Sequence, residues 1–255
     1  MGRRGIVWKT PDITADGLKM FACICMMIQS VGIVIVERGM IHLDQYTQES
    51  LNEAMSRDSH LMTLAGVGSV MQLIGGMALP IFTFLLVEGF RNTSDFRKYF
   101  LSVLLFGLLS EIPYDLAMNG KILDLTGQNG MLSMALCLLM VYFLDLIKGR
   151  SGFTGTLMRS AIVLAAVVWA SVFRLEYGLC LVLLTAIFYL LYTRNVLKTI
   201  LGSLVSLLYV TGPASFYGIW CYNGERKDKI PKYAYYVFYP LHLLVLVLII
   251  KVRRF

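Results

Sequence analysis

Long apolar stretches recur along the chain at nearly regular intervals, at 18–36, 63–87, 99–118, 130–147, 157–173, 177–193, 199–220 and 233–250. Most come close to the roughly 20 residues that, at about 1.5 Å of rise each, carry an α-helix across a hydrocarbon core of about 30 Å. Within lipid every backbone N–H and C=O needs a partner, which helices supply internally. The pattern therefore predicts an all-α fold: one transmembrane helix bundle of about eight spans filling residues 1–255, with a short cytoplasmic amino-terminal segment, 1–16. Eight spans would use roughly 180 to 200 residues, which leaves no room for a second domain.

Composition supports this reading: 57% of the residues are hydrophobic and only 15% charged, too apolar for an ordinary soluble domain. The net charge of +7 reads as orientation by cytoplasmic Lys and Arg, with no nucleic-acid partner expected. With both termini on the cytoplasmic side, fifteen basic residues fall inside and eight outside. The stretch 37–62 carries Glu37, Asp44, Glu49, Glu53 and Asp58 against Arg38 and Arg57 and is expected to be an acidic outer loop. One segment breaks the pattern: 222–232, with Arg226, Lys227, Lys229 and Lys232, falls outside. Either that loop uses its charge or one of the spans is wrong. No cleavable signal is expected, and Ile6 stands where a myristoylation site needs Ser or Thr.

The candidate chemistry is polar residues that are expensive where they stand. Gly75-Gly76 with Pro80, Pro113, and Gly212-Pro213 interrupt helices at membrane depth, where freed backbone groups need a neighbour or a wet cavity. Glu88 ends the second apolar run on the inner side, Glu111 and Asp115 flank Pro113, and Gln128 and Asn129 open the fourth run. Glu176 and Tyr177 open the sixth, Tyr222 and Asn223 close the seventh, and His242 lies near the middle of the eighth, at about the depth of Gln29 and Ser30 in the first. Intramembrane ionisable groups usually face the bundle interior. Apart from Glu88, these residues are expected to converge on the outer half, as a polar pocket or as an interhelical hydrogen-bond set. His242 has the side chain whose unperturbed pKa suits a general base near neutrality, while His42 and His60 are expected to be solvated. The three histidines are too far apart for a zinc site, and the five cysteines lack metal-ligand spacing and read as small apolar packers. No GxSxG, phosphate-loop or dinucleotide fingerprint is present.

The stretch ALPIFTFLLVEGF from Ala78, then RNTSDFRKYF and LLFGLLSEIPYDLAM, resembles the centre of the TraX family of bacterial membrane proteins. The resemblance continues through Gln128-Asn129, Glu176-Tyr177-Gly178, Tyr222-Asn223-Gly224 and FYPLHLLVL from Phe238. The family takes its name from the protein that acetylates the amino terminus of conjugative pilin in the inner membrane, and it is distantly similar to polytopic membrane acyltransferases. The resemblance implies acyl transfer from acetyl-CoA or another acyl-CoA, used as co-substrate, to an amine or hydroxyl acceptor such as a pilin or peptide amino terminus. Family members carry an Asp-His pair in the first span. Here Gln29 and Ser30 stand in its place, Gly76 replaces a family Arg, and Glu176 replaces the Asp of Asp-Tyr-Gly.

With that pair absent, the expected catalytic set is His242 as base, assisted by Glu111 or Glu176, with Ser30 lining the pocket or accepting acyl. Gln29, Glu88, Asp115, Gln128, Asn129, Glu176, Tyr177, Asn223 and Tyr239 are the expected substrate-facing residues. Arg91, Arg97, Lys98 and Lys198 are expected to hold the CoA phosphates. Two alternatives stay open: a fold that has lost its chemistry and serves as a membrane binding or partner protein, and a small-molecule carrier.

Overall fold

The computed structural model describes residues 12–225 and 230–253; among them the regular structure is helical, joined by turns and loops, with two isolated bridges, Ile13 to Tyr222 and Gln128 to Leu175. Helix α1 (Ala15–Val31) starts where the Thr14 hydroxyl accepts from the Gly17 N–H, and it continues as a π-helical stretch, Gly32–Ile41. An exposed helix α2 (Gln48–Arg57) follows, opened by a reciprocal Thr47–Ser50 cap. The stretch expected as an acidic loop is thus largely helical.

Next come α3 (Ser59–Gly76), capped by Asp58, and α4 (Ala78–Asn92), which are the two halves of one apolar rod broken at Met77. The break has a packing cause. Gly75 lies against the Gln29 side chain, and a β-carbon on Gly76 would sit 2.6 Å from the Tyr209 carbonyl oxygen, so only glycine fits. Then follow α5 (Phe96–Met118), capped by Asp95, α6 (Gly130–Leu146), capped by Asn129, α7 (Gly152–Val172) and α8 (Gly178–Leu190). Helices α9 (Asn195–Ser206), α10 (Ser215–Trp220) and α11 (Lys232–Arg253) complete the chain. Among the described residues five helical stretches are long and apolar enough to cross a bilayer: Ala15–Ile41, Ser59–Asn92, Phe96–Met118, Gly152–Val172 and Tyr233–Val252. Helix α8, only thirteen residues long, is central; Leu181, Leu184 and Phe188 are buried in it between α6 and α7 on one side and α1 and α4 on the other.

The run at 199–220 corrects the expected topology. It folds back on itself: Trp220 Nε1 donates to Thr199 Oγ1 at 2.7 Å, and Gly202 lies against Phe216. The twelve residues of α9 rise about 18 Å before the chain turns at 207–214 and comes back alongside them. At the tip, Thr211 donates its hydroxyl to the Leu73 carbonyl beside the Met77 break, and Tyr209 packs edge-on against Tyr177 at 5.1 Å. The far limb ends where it began, because the Ile13 N–H donates to the Cys221 carbonyl and Asn223 N–H to the Ile13 carbonyl.

Helix α11 therefore runs parallel to α1, where eight crossings would make it antiparallel. Tyr235 lies under the Lys19 ammonium at 5.1 Å, His242 meets Ser30, and Leu243, Leu246 and Val247 cluster with Val34. Residues 226–229 of the basic segment, and the amino-terminal residues 1–11, lie outside the described residues.

Candidate functional site

One cavity of about 680 Å³ penetrates the bundle from the end that holds the start of α1. Pockets of this size are typical of small-molecule sites. Its rim carries Lys19, Asn92, Thr93, Ser94, Asp95 and Lys98, and its apolar bore is lined by Met26, Phe82, Leu85 and Met134 with Tyr99, Tyr235 and Tyr236. The floor is polar: Gln29, Ser30, Glu176, Tyr177 and Tyr239.

Helical periodicity builds this wall. Lys19, Cys23, Met26 and Ser30 recur at steps of four and three and so share one face of α1, which Ile33 extends into the π-helical stretch. That spacing was visible in the sequence and would have placed Lys19 on the same face as Ser30, about three turns away; the charge count alone did not reveal it. Lys19 also pairs with Asp16 at 3.2 Å.

Three polar groupings meet at the floor. Gln29 Nε2 donates to the Tyr177 hydroxyl at 3.0 Å, fixing α1 to the turn before α8. The Glu176 carboxyl lies against Tyr114, Tyr177 and the Gly130 N–H, and the Glu176 carbonyl accepts from Ser133 Oγ at 2.6 Å. Ser30 Oγ stands 3.1 Å from His242 Nε2, and the other ring nitrogen, Nδ1, is 3.0 Å from the Phe238 carbonyl. Both His242 nitrogens are thus engaged, neither by a carboxylate.

The acidic residues expected to assist His242 sit elsewhere. Glu111 accepts from the Asn129 side-chain amide, which also donates to the Gly107 carbonyl at 2.8 Å. Asp115 accepts the Asp124 N–H at 2.7 Å. Neither lines the cavity, and each keeps one buried carboxyl oxygen without a partner among the described residues. Gln128 closes a backbone bridge with Leu175 and faces a separate shallow groove with Phe100 and Leu132. Asn223 and Tyr222 are at the rim end of the bundle, far from the expected polar half: the Asn223 side chain accepts from Glu225 N–H, and Tyr222 packs on Phe84.

The four basic residues expected around CoA also part company. Lys98 is on the rim. Arg91 stacks over the Tyr192 ring at 3.7 Å, and Arg97 is exposed away from the cavity. Lys198 is buried, donating to Asn195 Oδ1 at 3.0 Å and interacting with Glu88, whose carboxylate also receives Asn92. No group of three or more His, Cys, Asp or Glu among the described residues is arranged to hold a metal ion.

Fold and cavity together define a polytopic helical membrane protein with a polar-floored chamber inside its bundle. Residues 14–250 match the family model described as TraX protein; the chain belongs to the TraX family. No curated protein and no solved structure matches it.

Proposed function

We propose that this protein transfers an acyl group from acyl-CoA to an amine or hydroxyl acceptor, such as a peptide or pilin amino terminus, inside the cytoplasmic membrane of a bacterium. The observation that supports this most is the cavity itself: a rim with two lysines and a serine- and threonine-bearing loop, an apolar bore, and a floor holding a hydroxyl beside an imidazole. That sequence of surfaces suits an anionic nucleotide head, a slender arm and a reacting carbonyl in turn.

The rim belongs on the cytoplasmic side, where acyl-CoA is. With 195–222 as a re-entrant hairpin the chain crosses seven times, the carboxyl terminus exits on the far face, and the segment 222–232 joins two elements at the rim end. Sixteen of the 23 Lys and Arg then count on the cytoplasmic side, and the segment that broke the charge pattern now obeys it. Reporters fused to the two termini are expected on opposite faces; finding them on one face refutes the seven-crossing arrangement.

The activity test is release of free CoA thiol by the purified protein in lipid, with and without an amine acceptor. Lys98→Glu is expected to raise KM for acyl-CoA about fivefold, with kcat kept, since one reversed charge near the surface is worth about 1 kcal/mol. Absence of turnover with every acyl-CoA and acceptor tried favours the second reading, a binding protein. That reading is supported by Gln29 and Ser30 standing where family enzymes carry Asp-His.

A further inference from the structure

We infer that Ser30 and His242 form a nucleophile–base pair and that transfer passes through an acyl ester on Ser30. This rests on the acyl-transfer reading for the identity of the donor, while the pair stands on its own geometry. The Phe238 carbonyl, 3.0 Å from His242 Nδ1, can only accept a hydrogen bond. The ring proton is therefore assigned to Nδ1, and the Nε2 lone pair faces the Ser30 hydroxyl at 3.1 Å.

The serine proton has a second acceptor, the Met26 carbonyl at 3.0 Å, so the hydroxyl is held between a carbonyl and a base. This is the relation that activates serine nucleophiles, with a backbone carbonyl orienting the imidazole in place of a carboxylate. Exposure divides the roles. Ser30 lines the cavity, whereas His242 is buried behind it and does not. A substrate in the bore meets the hydroxyl, and the base stays shielded from water.

In the first half-reaction, Ser30 Oγ attacks the thioester carbonyl carbon and its proton passes to His242 Nε2. The C–S bond then breaks, and His242 returns the proton to the departing thiolate, giving free CoA. In the second, the acceptor amine or hydroxyl attacks the ester carbonyl, loses its proton to His242, and the C–Oγ bond breaks with that proton returned to Ser30. The acyl group has moved from sulfur to nitrogen or oxygen with no change of oxidation state. Gln29, on the same floor, gives one amide N–H to Tyr177, and its second N–H is the donor offered to the oxyanion.

The test uses the full chain in lipid nanodiscs, treated separately with a fluorophosphonate probe and with acetyl-CoA lacking any acceptor, then quenched for peptide mass spectrometry. Expected are a phosphonyl adduct and an acetyl adduct on Ser30, both absent in Ser30→Ala, and phosphonylation slowed at least about 10²-fold in His242→Gln, the scale of general-base assistance. Ser30→Cys is expected to retain acylation, as a thioester. Fluorophosphonate labelling of Ser30 without any CoA release upholds the pair and sinks the acyl-CoA reading. CoA release that survives Ser30→Ala undiminished, with no adduct on the native protein, overturns the pair and leaves acyl transfer standing. Equal labelling rates in native protein and His242→Gln also overturn it.

Discussion

Two buried polar regions lie within the same bundle and do different things. Along the α1–α11 seam, Ser30 and His242 face each other through one hydrogen bond, and Ser30 opens onto a cavity. Between α5 and α6, Glu111, Asn129 and Asp115 form a denser set that is closed off from it. Asn129 alone caps α6 through the Met131 and Leu132 N–H groups and ties it to α5 through Gly107 and Glu111. The seam keeps one hydroxyl open to the cavity, whereas the α5–α6 pillar joins helices and meets no cavity. Charge at membrane depth therefore does not by itself mark the site. What separates the two regions is whether a polar atom meets open space.

The largest effect that sharpens this contrast is expected from His242→Gln, which should lower acyl transfer by about 10²–10⁴-fold with the melting temperature nearly unchanged. A comparable loss of stability would place His242 with the pillar. Next in size is Asn129→Ala, expected to destabilise by about 1–3 kcal/mol because it leaves the Glu111 carboxyl and the α6 N–H groups without their partner. Thermal unfolding in detergent would show this. Turnover per folded molecule should stay within about twofold of native, and a drop to the His242→Gln level would erase the distinction between the regions.

The smallest effect concerns the loop that closes the pillar. Hydrogen bonds from Thr126, with Lys121 assisting, hold the Asp124 carboxyl below its ordinary value. A lowered folded value means stability that is present above the unfolded pKa of about 3.9 and lost as pH falls through the folded value. Native protein should therefore melt slightly above Asp124→Asn at about pH 6, and the gap should close as pH falls below about 3.9. A gap that does not change with pH would mean the carboxylate charge plays no part in holding that loop.

Much of the site was legible in the chain before folding was known. The depth of His242 matched that of Gln29 and Ser30 because each position could be counted along its own apolar run, and the two do meet. The partnership of Glu111 with His242 was misplaced because Pro113 and two carboxylates look the same in sequence whether they line a cavity or join α5 to α6. Lys198 looked like a surface cation because its neighbours along the chain are Asn195 and Thr199; it is buried where the preceding turn at Tyr192 meets Glu88 of α4.

The sequence by itself determined that the chain is a membrane helix bundle, where most helices start, and which family it belongs to. These depend on run length, capping residues and ordered motifs, all of which are local. It also held the contradiction of the basic segment 222–232, without the means to resolve it. Only the tertiary structure decided that 195–222 turns back within the bundle, that α11 therefore runs parallel to α1, and that Ser30 faces His242. The reason is that hydropathy measures the apolar length of a segment, while direction depends on what its tip meets. Here the Tyr209–Thr211 tip meets the glycine break between α3 and α4, a contact between residues more than a hundred positions apart.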